Sequence, residues 1–290
     1  DELKRREDRV ARIREAKERL EAEARERAAE EQRQRDAAEA ERQAAGKKRR
    51  GKEPAPVKVT PEDKAQTNFT DPEAKIMKRS NKGFDYCYNA QAVVDSEHQI
   101  IVAAEVCTAA NDKQQAVPLA QAAVKNLAAA DIERPRDDQG QPLPIPNTAD
   151  NGYYSEENVR GVEAAGLDPY FAVGRQKHHA SGTAASAADP APASASAASA
   201  ADSAPASNSA APVAGEHPKE TMAKKLRTLR GRVLYAARKH IVEPVFGQIK
   251  QVRGFRKFLL RGLELVSAEW QLICLTHNLL KIWRHVSSVP

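Results

Sequence analysis

At 290 residues the chain is long enough for one sizeable core, or for one domain carrying extensions. Charged residues make up 30% of it, above the roughly one quarter of ordinary globular domains, so part of the chain is expected to lie outside a core. The net charge of +6 points to an anionic partner where the basic residues cluster, and no apolar run approaches the roughly 18 residues of a membrane span, so no membrane partner is expected.

Residues 1–45 read as one long helix, rich in Glu, Arg, Ala, Gln and Lys, with no Pro and no Gly before Gly46. Leu3, Val10, Ile13 and Leu20 fall on heptad a and d positions, and then the seam fades into Ala24, Arg27, Glu31, Gln34 and Glu41. Two readings stand: a charged, partly solvated helix, or a dimerising coil. Residues 46–66 form a linker with the basic run Lys47–Arg50 and Pro54, Pro56 and Pro61. The chain starts inside a helical pattern without Met, as expected of a fragment or of a frame that begins late.

From residue 67 the pattern changes. Tyr86–Asp95 and Gln99–Val106 are rich in Val, Ile, Ala and Tyr around the polar turn Asp95–His98, which predicts a hairpin. Asn111–Asp112 caps a helix expected to run to about Ala129. Residues 133–146 form a Pro- and Gly-rich loop. Asn147–Asp150 reads as a strand end before Gly152, a helix follows from Ser155 to Gly166, and Pro169–Val173 is a second short strand. Residues 180–214, almost entirely Ala, Ser, Pro and Asp, have too little apolar surface to offset ordering entropy and are expected to be disordered. Residues 215–290 are helical. From Lys219 to Gly262 there are 13 Lys or Arg against two acids, Glu220 and Glu243. The last helix, about Leu263–His285, is strongly apolar and reads as a core helix. Cys87, Cys107 and Cys274 are far apart, lack zinc-ligand spacing and read as reduced core thiols of a cytosolic protein.

Two acids draw attention. Asp150 leaves a strand just before a glycine turn, a rigid place from which to present a carboxylate. Glu243 lies among cations, so the plain reading is a surface ion pair. Its neighbours Val242, Val245, Phe246 and Ile249 place it instead near a packed face, where a carboxylate needs a cation or a metal.

Four stretches carry a family resemblance: Thr70–Lys78 (TDPEAKIMK), Tyr88–Gln115, Thr148–Asn158 (TADNGYYSEEN) and Val242–Leu263, the last followed by EWQLICLTHNLLKIW. The chain resembles the DDE transposases of bacterial insertion sequences, in the group with a helical insertion in the catalytic region. The resemblance implies an α/β, ribonuclease-H-like core, a Mg2+ or Mn2+ pair, and DNA (element ends and target) as partner. It further implies a cytoplasmic, nucleoid-associated setting, with a homodimer as an additional expectation. Asp150 matches the second acid of the family and Glu243 the glutamate, with Lys250 seven positions later. Tyr235 matches a tyrosine before that glutamate, and the adjoining basic role falls to Arg238 or Lys239. Lys250, Arg253, Arg256 and Lys257 are the expected phosphate contacts. The family's first aspartate, in a DGT-type strand upstream of the insertion, has no counterpart here; Asp71, Asp85 and Asp95 do not match it. The expected architecture is therefore an incomplete core. Its parts are a charged helix and linker (1–66), a hairpin, helix and Asp150 strand (67–179), a disordered loop (180–214) and basic C-terminal helices (215–290). Such a chain is expected not to transpose alone, and the alternative function is an inactive DNA-binding relic.

Overall fold

The computed structural model describes residues 2–46, 54–79, 83–174 and 217–288. The basic run Lys47–Arg50 and the low-complexity segment 180–214 lie outside the described residues. The chain divides into two compact units: residues 1–90, 106–110 and 257–272 in the first, and 91–105, 111–256 and 273–290 in the second.

In the first unit α1 (Glu2–Ala44) is one uninterrupted helix. Pairs at i,i+4 spacing such as Glu2–Arg6 and Glu31–Arg35, both at 2.6 Å, line its surface; exposed pairs of this kind add only a few tenths of a kcal/mol each. Its buried residues are Ala16, Ala24 and Ala28, whereas Leu3, Val10 and Ile13 of the heptad seam are exposed. The packed stripe is thus made of alanines and largely misses that seam. Lys75 holds α1 to β1 (Lys75–Lys78) through Glu23, with Nζ 2.8 and 2.9 Å from the two carboxylate oxygens. β1 pairs antiparallel with β2 (Phe84–Cys87).

The expected strand Tyr86–Asp95 is in fact two strands. β2 ends at Cys87 and β3 (Asn89–Val94) begins a different pairing. The break falls at Tyr88, whose hydroxyl donates to both oxygens of the buried Asp71, at 2.8 and 2.9 Å. Burial, followed by the Asp71 carboxylate, pushes the Tyr88 phenol above its ordinary pKa. Asp71 also accepts from the Gly262 N–H (3.3 Å), and Glu73 accepts from the Leu263 N–H (2.8 Å). Two carboxylates therefore satisfy the otherwise unpaired donors that open α6 (Leu263–Ser288).

In the second unit β3 pairs with β4 (Ile101–Cys107) across the anticipated polar turn, where Asp95 accepts from the N–H groups of Glu97 (3.1 Å) and His98 (2.7 Å). The helix expected from Asp112 starts later: a 3-10 turn at Lys113–Gln115 precedes α2 (Ala116–Ala129). β5 (Ile145–Ala149), α3 (Glu156–Ala164) and β6 (Leu167–Phe171) lie close to expectation. β5 and β6 pair in parallel from Ile145↔Leu167 to Ala149↔Phe171. Pro146 and Pro169 are tolerated because each strand of a two-stranded sheet is an edge. Ala116, Ala120, Val162, Leu167 and Phe171 form the core of this unit. Gly161 permits α2 and α3 to approach; a Cβ there would lie 2.5 Å from Val117 Cγ2.

The mixed helix-and-strand content agrees with an α/β chain. The strands pair only as three two-stranded sheets, so the described residues contain no continuous ribonuclease-H-like sheet. α4 (Pro218–Arg227) and α5 (Leu229–Gly247) pack on β6, and α5 also packs on β5.

α6 departs from the simple core helix expected. Ile273, Cys274 and His277 are buried, while Leu275, Leu279, Ile282 and Val286 are exposed on another face. Burial pushes the Cys274 thiol up to about 12, which fits an unreactive core cysteine; all three cysteines are free. His277 Nε2–H donates to the Gln99 carbonyl (3.1 Å), and the Asn278 amide bonds both the N–H and the C=O of Ile101 at 2.8 Å. Burial depresses the His277 pKa, opposed by the Gln99 bond and aided by Lys281. The folded state thus resists protonation that the unfolded chain accepts near pH ~6.5. Stability should be full above that pH and fall as pH drops through it. Chemical denaturation between pH 8 and 5 should show this loss, and His277→Gln should flatten it.

Candidate metal and nucleic-acid site

Asp150 follows β5 in an extended conformation and caps the 3-10 turn Asn151–Tyr153, its Oδ1 accepting from the Gly152 N–H at 2.8 Å. A second carboxylate comes to the same glycine. A Cβ on Gly152 would lie 3.0 Å from Asp150 Oδ1 and 3.1 Å from Asp112 Oδ2, so a glycine is what lets both acids approach. Asp112 is not the cap that the sequence suggests, since its side chain makes no capping bond to the following turn. Its Oδ1 instead accepts from Gln91 Nε2 at 2.7 Å, and Gln91 Oε1 accepts from the Tyr153 hydroxyl. Asn158 ties the same pieces together. Its backbone N–H donates to Ser155 Oγ (3.0 Å), and its amide donates to the carbonyls of Lys113 (2.5 Å) and Tyr153 (2.7 Å). The Tyr154 hydroxyl is buried without a hydrogen-bond partner, and burial, then Glu156, raises its pKa.

Glu243 lies on α5, between the buried Val245 and Ile249 on one side and solvent on the other; its own side chain is exposed. The expectation that it is held at a packed face is therefore corrected. The surface ion pair is not formed either: no described residue pairs with it. Pro244 is the next residue. It has no N–H, so it leaves the carbonyl four residues back, that of His240, without its helical donor. Gln99 Nε2 supplies one at 2.9 Å. Past Gly247 the helix widens into a π turn, Gln248–Val252, which contains the exposed Lys250. Lys250 Nζ lies 5.1 Å from the Phe246 ring centroid. α5, which carries Glu243, packs against β5, the strand that Asp150 directly follows. Among the described residues, no three His, Cys, Asp or Glu side chains converge as a metal cluster.

The expected phosphate contacts separate into two kinds. Arg253 is engaged internally: Nη1 donates to the Ile273 carbonyl (3.0 Å), Nη2 to Thr276 Oγ1, and the guanidinium lies 4.9 Å from the Phe255 ring. Arg256 bonds the Lys250 carbonyl (3.3 Å) and Gln251. Arg238 stacks on Tyr235 at 5.5 Å, with a buried Nε that has no hydrogen-bond partner. Lys239, Lys250 and Lys257 are exposed. Sequence reasoning missed Lys225, which bonds Asp168 and the Pro169 carbonyl (2.9 Å) and sits 4.4 Å over Tyr170. It also missed Gln91, Asp112 and Asn158 as partners of the Asp150 turn; the only signal was their place inside the long second stretch and at the end of the third.

Residues 206–283 match the family model of a transposase DDE domain. That stretch is similar to the DDE domain of transposases. The match includes Glu243, the basic helices and most of α6, and leaves Asp150 outside it. No curated protein and no solved structure matches the chain.

Gln99→Ala should remove the donor that the His240 carbonyl has in place of its helical one, at a cost of about 0.5–1.5 kcal/mol, since the bond is exposed. Hydrogen exchange should accelerate selectively in residues 240–252, and unchanged exchange there would remove Gln99 from that role.

Proposed function

We propose that the chain is the catalytic region of a DNA transposase, in which Asp150 and Glu243 hold divalent metal for phosphodiester hydrolysis and strand transfer. The observation that carries this is the packing of α5, with Glu243, against β5, which presents Asp150. The donors suit the metal: carboxylate oxygens, with no Cys or His nearby in the turn, favour hard cations such as Mg2+ or Mn2+. When bound, such ions activate an attacking hydroxyl and stabilise a leaving oxygen. The chain's own part is to orient the carboxylates and to bind DNA phosphates with Lys239, Lys250 and Lys257, whose side chains are exposed. A ribonuclease-H-like arrangement is supported by the order hairpin, α2, β5, α3, β6 with an acid at the end of β5.

The test has two parts. Mn2+ titration followed by electron paramagnetic resonance should show binding that Asp150→Asn and Glu243→Gln each weaken by ten-fold or more. Cleavage of DNA carrying the element ends, with Mg2+, separates the enzyme from the relic. Cutting abolished by Glu243→Gln identifies an active enzyme. DNA binding without cutting identifies the relic.

The proposed assembly is a homodimer through α6. Leu275, Leu279, Ile282 and Val286 are exposed and spaced by four, three and four residues, the stripe of a helix that packs on another helix. A second copy offers the same stripe. Analytical ultracentrifugation should find a dimer that Leu279→Lys with Ile282→Lys converts to a folded monomer. A monomeric wild type at tens of micromolar would overturn this assembly.

A further inference from the structure

Gln91 is a polar side chain with only 4% of its surface exposed, on β3, well away in sequence from both acids of the turn. A buried amide must satisfy both ends or destabilise its surroundings. Here each end has a distinct partner. The Nε2 donor meets the Asp112 carboxylate at 2.7 Å, and the Oε1 acceptor meets the Tyr153 hydroxyl. The polarity is unambiguous, because a flipped amide would set its carbonyl against a carboxylate. Tyr153 and Asp112 are the groups that bracket Gly152: one adjoins it in sequence, and the other has its Oδ2 3.1 Å from where a Cβ would be. The Gly152 N–H in turn holds Asp150 Oδ1.

We propose that Gln91 is the positioning residue of the Asp150 turn, fixing Asp112 and Tyr153 so that the Gly152 N–H orients the Asp150 carboxylate. Gln91 itself touches no reacting group. Asp112 acts as its anchor, and Asn158 closes the far side by bonding the carbonyls of Lys113 and Tyr153. Gln91, Asp112 and the Asp150 turn, apart in sequence, thus form one hydrogen-bonded unit. The consequence for metal rests on reading Asp150 as a metal-holding carboxylate; the geometric claim does not.

The full chain allows a test by reversing the polarity of the bond. Gln91→Glu sets a carboxylate against Asp112 and should speed hydrogen exchange at the Gly152 amide by about ten-fold, through local opening. Asp112→Asn alone keeps an acceptor for Gln91 and should change that amide by less than about three-fold. When Gln91→Glu and Asp112→Asn are combined, the new amide at position 112 donates to the new carboxylate at position 91. That carboxylate still accepts from Tyr153, and exchange should return close to wild type. Mn2+ affinity should track the same order, falling about ten-fold in Gln91→Glu and recovering in the double variant. Exchange at Gly152 that ignores Gln91→Glu, or a double variant no better than it, overturns the proposal. Loss of Mn2+ binding in Asp112→Asn with an undisturbed Gly152 amide also overturns it, since Asp112 would then ligate metal directly. A wild type that binds no Mn2+ sinks the metal reading of Asp150, and the amide exchange still decides the role of Gln91. If Gln91→Glu does not fold, Tyr153→Phe removes one of the two bonds and should give an intermediate rise in exchange; no rise counts against the proposal.

Discussion

The second unit depends on one residue at the tip of its hairpin. Gln99 sits in the left-handed region, with φ of 59°, and offers three groups to three partners. Its carbonyl takes the His277 Nε2–H, its Oε1 takes the Lys281 ammonium at 2.8 Å, and its Nε2 gives to the His240 carbonyl. The last bond answers a specific deficit. Pro244 removes one helical donor just where α5 carries Glu243, and the exposed replacement bond contributes about 0.5–1.5 kcal/mol. The helix that bears the candidate glutamate thus takes one replacement hydrogen bond from a turn 141 residues earlier in the chain.

That distance explains what the sequence could and could not disclose. The β5, α3, β6 segment is legible because its signals are local: Ser155 as a cap, an apolar run in Leu167–Phe171, and Asp150 before a glycine. Other features are not. A single strand from Tyr86 to Asp95 satisfies the local pattern, yet the pairing changes partner at Tyr88, whose hydroxyl is bonded to Asp71. Asp112 looks like a cap because Asp before a helix usually is one. Its carboxylate instead serves Gln91, 21 residues back, which no local rule reports. Apolar neighbours counted without their helical phase place Glu243 at a packed face. Val245 and Ile249 turn inward, and Glu243 remains exposed.

Charge requires the same correction. The basic stretch from Lys219 to Gly262 reads as one electrostatic surface, yet its cations divide by role. Lys225 and Arg253 spend their donors on carbonyls and side chains within the unit, and each also stacks on an aromatic ring. Guanidinium and ammonium groups fixed in this way contribute packing as well as charge. Lys239 is exposed, and Lys250 is exposed with its ammonium beside the Phe246 ring, so total charge overstates the number of cations that face solvent unengaged.

The spacing of Glu243 and Lys250 shows how local backbone shape reaches the site. In a regular α-helix seven residues make almost two full turns, so both side chains would share one face. Here the stretch between them crosses Pro244 and enters the π turn Gln248–Val252. A π turn inserts backbone into the helical repeat and rotates the residues beyond it. Lys250 lies inside that turn, and its ammonium rests beside the Phe246 ring. Wide turns of this kind are rare in helices and are frequent at functional positions. In this chain the wide turn adjoins the candidate glutamate within the stretch that matches a transposase DDE domain. The irregularity of α5, more than the count of its charges, supports the reading in which this helix works on a ligand.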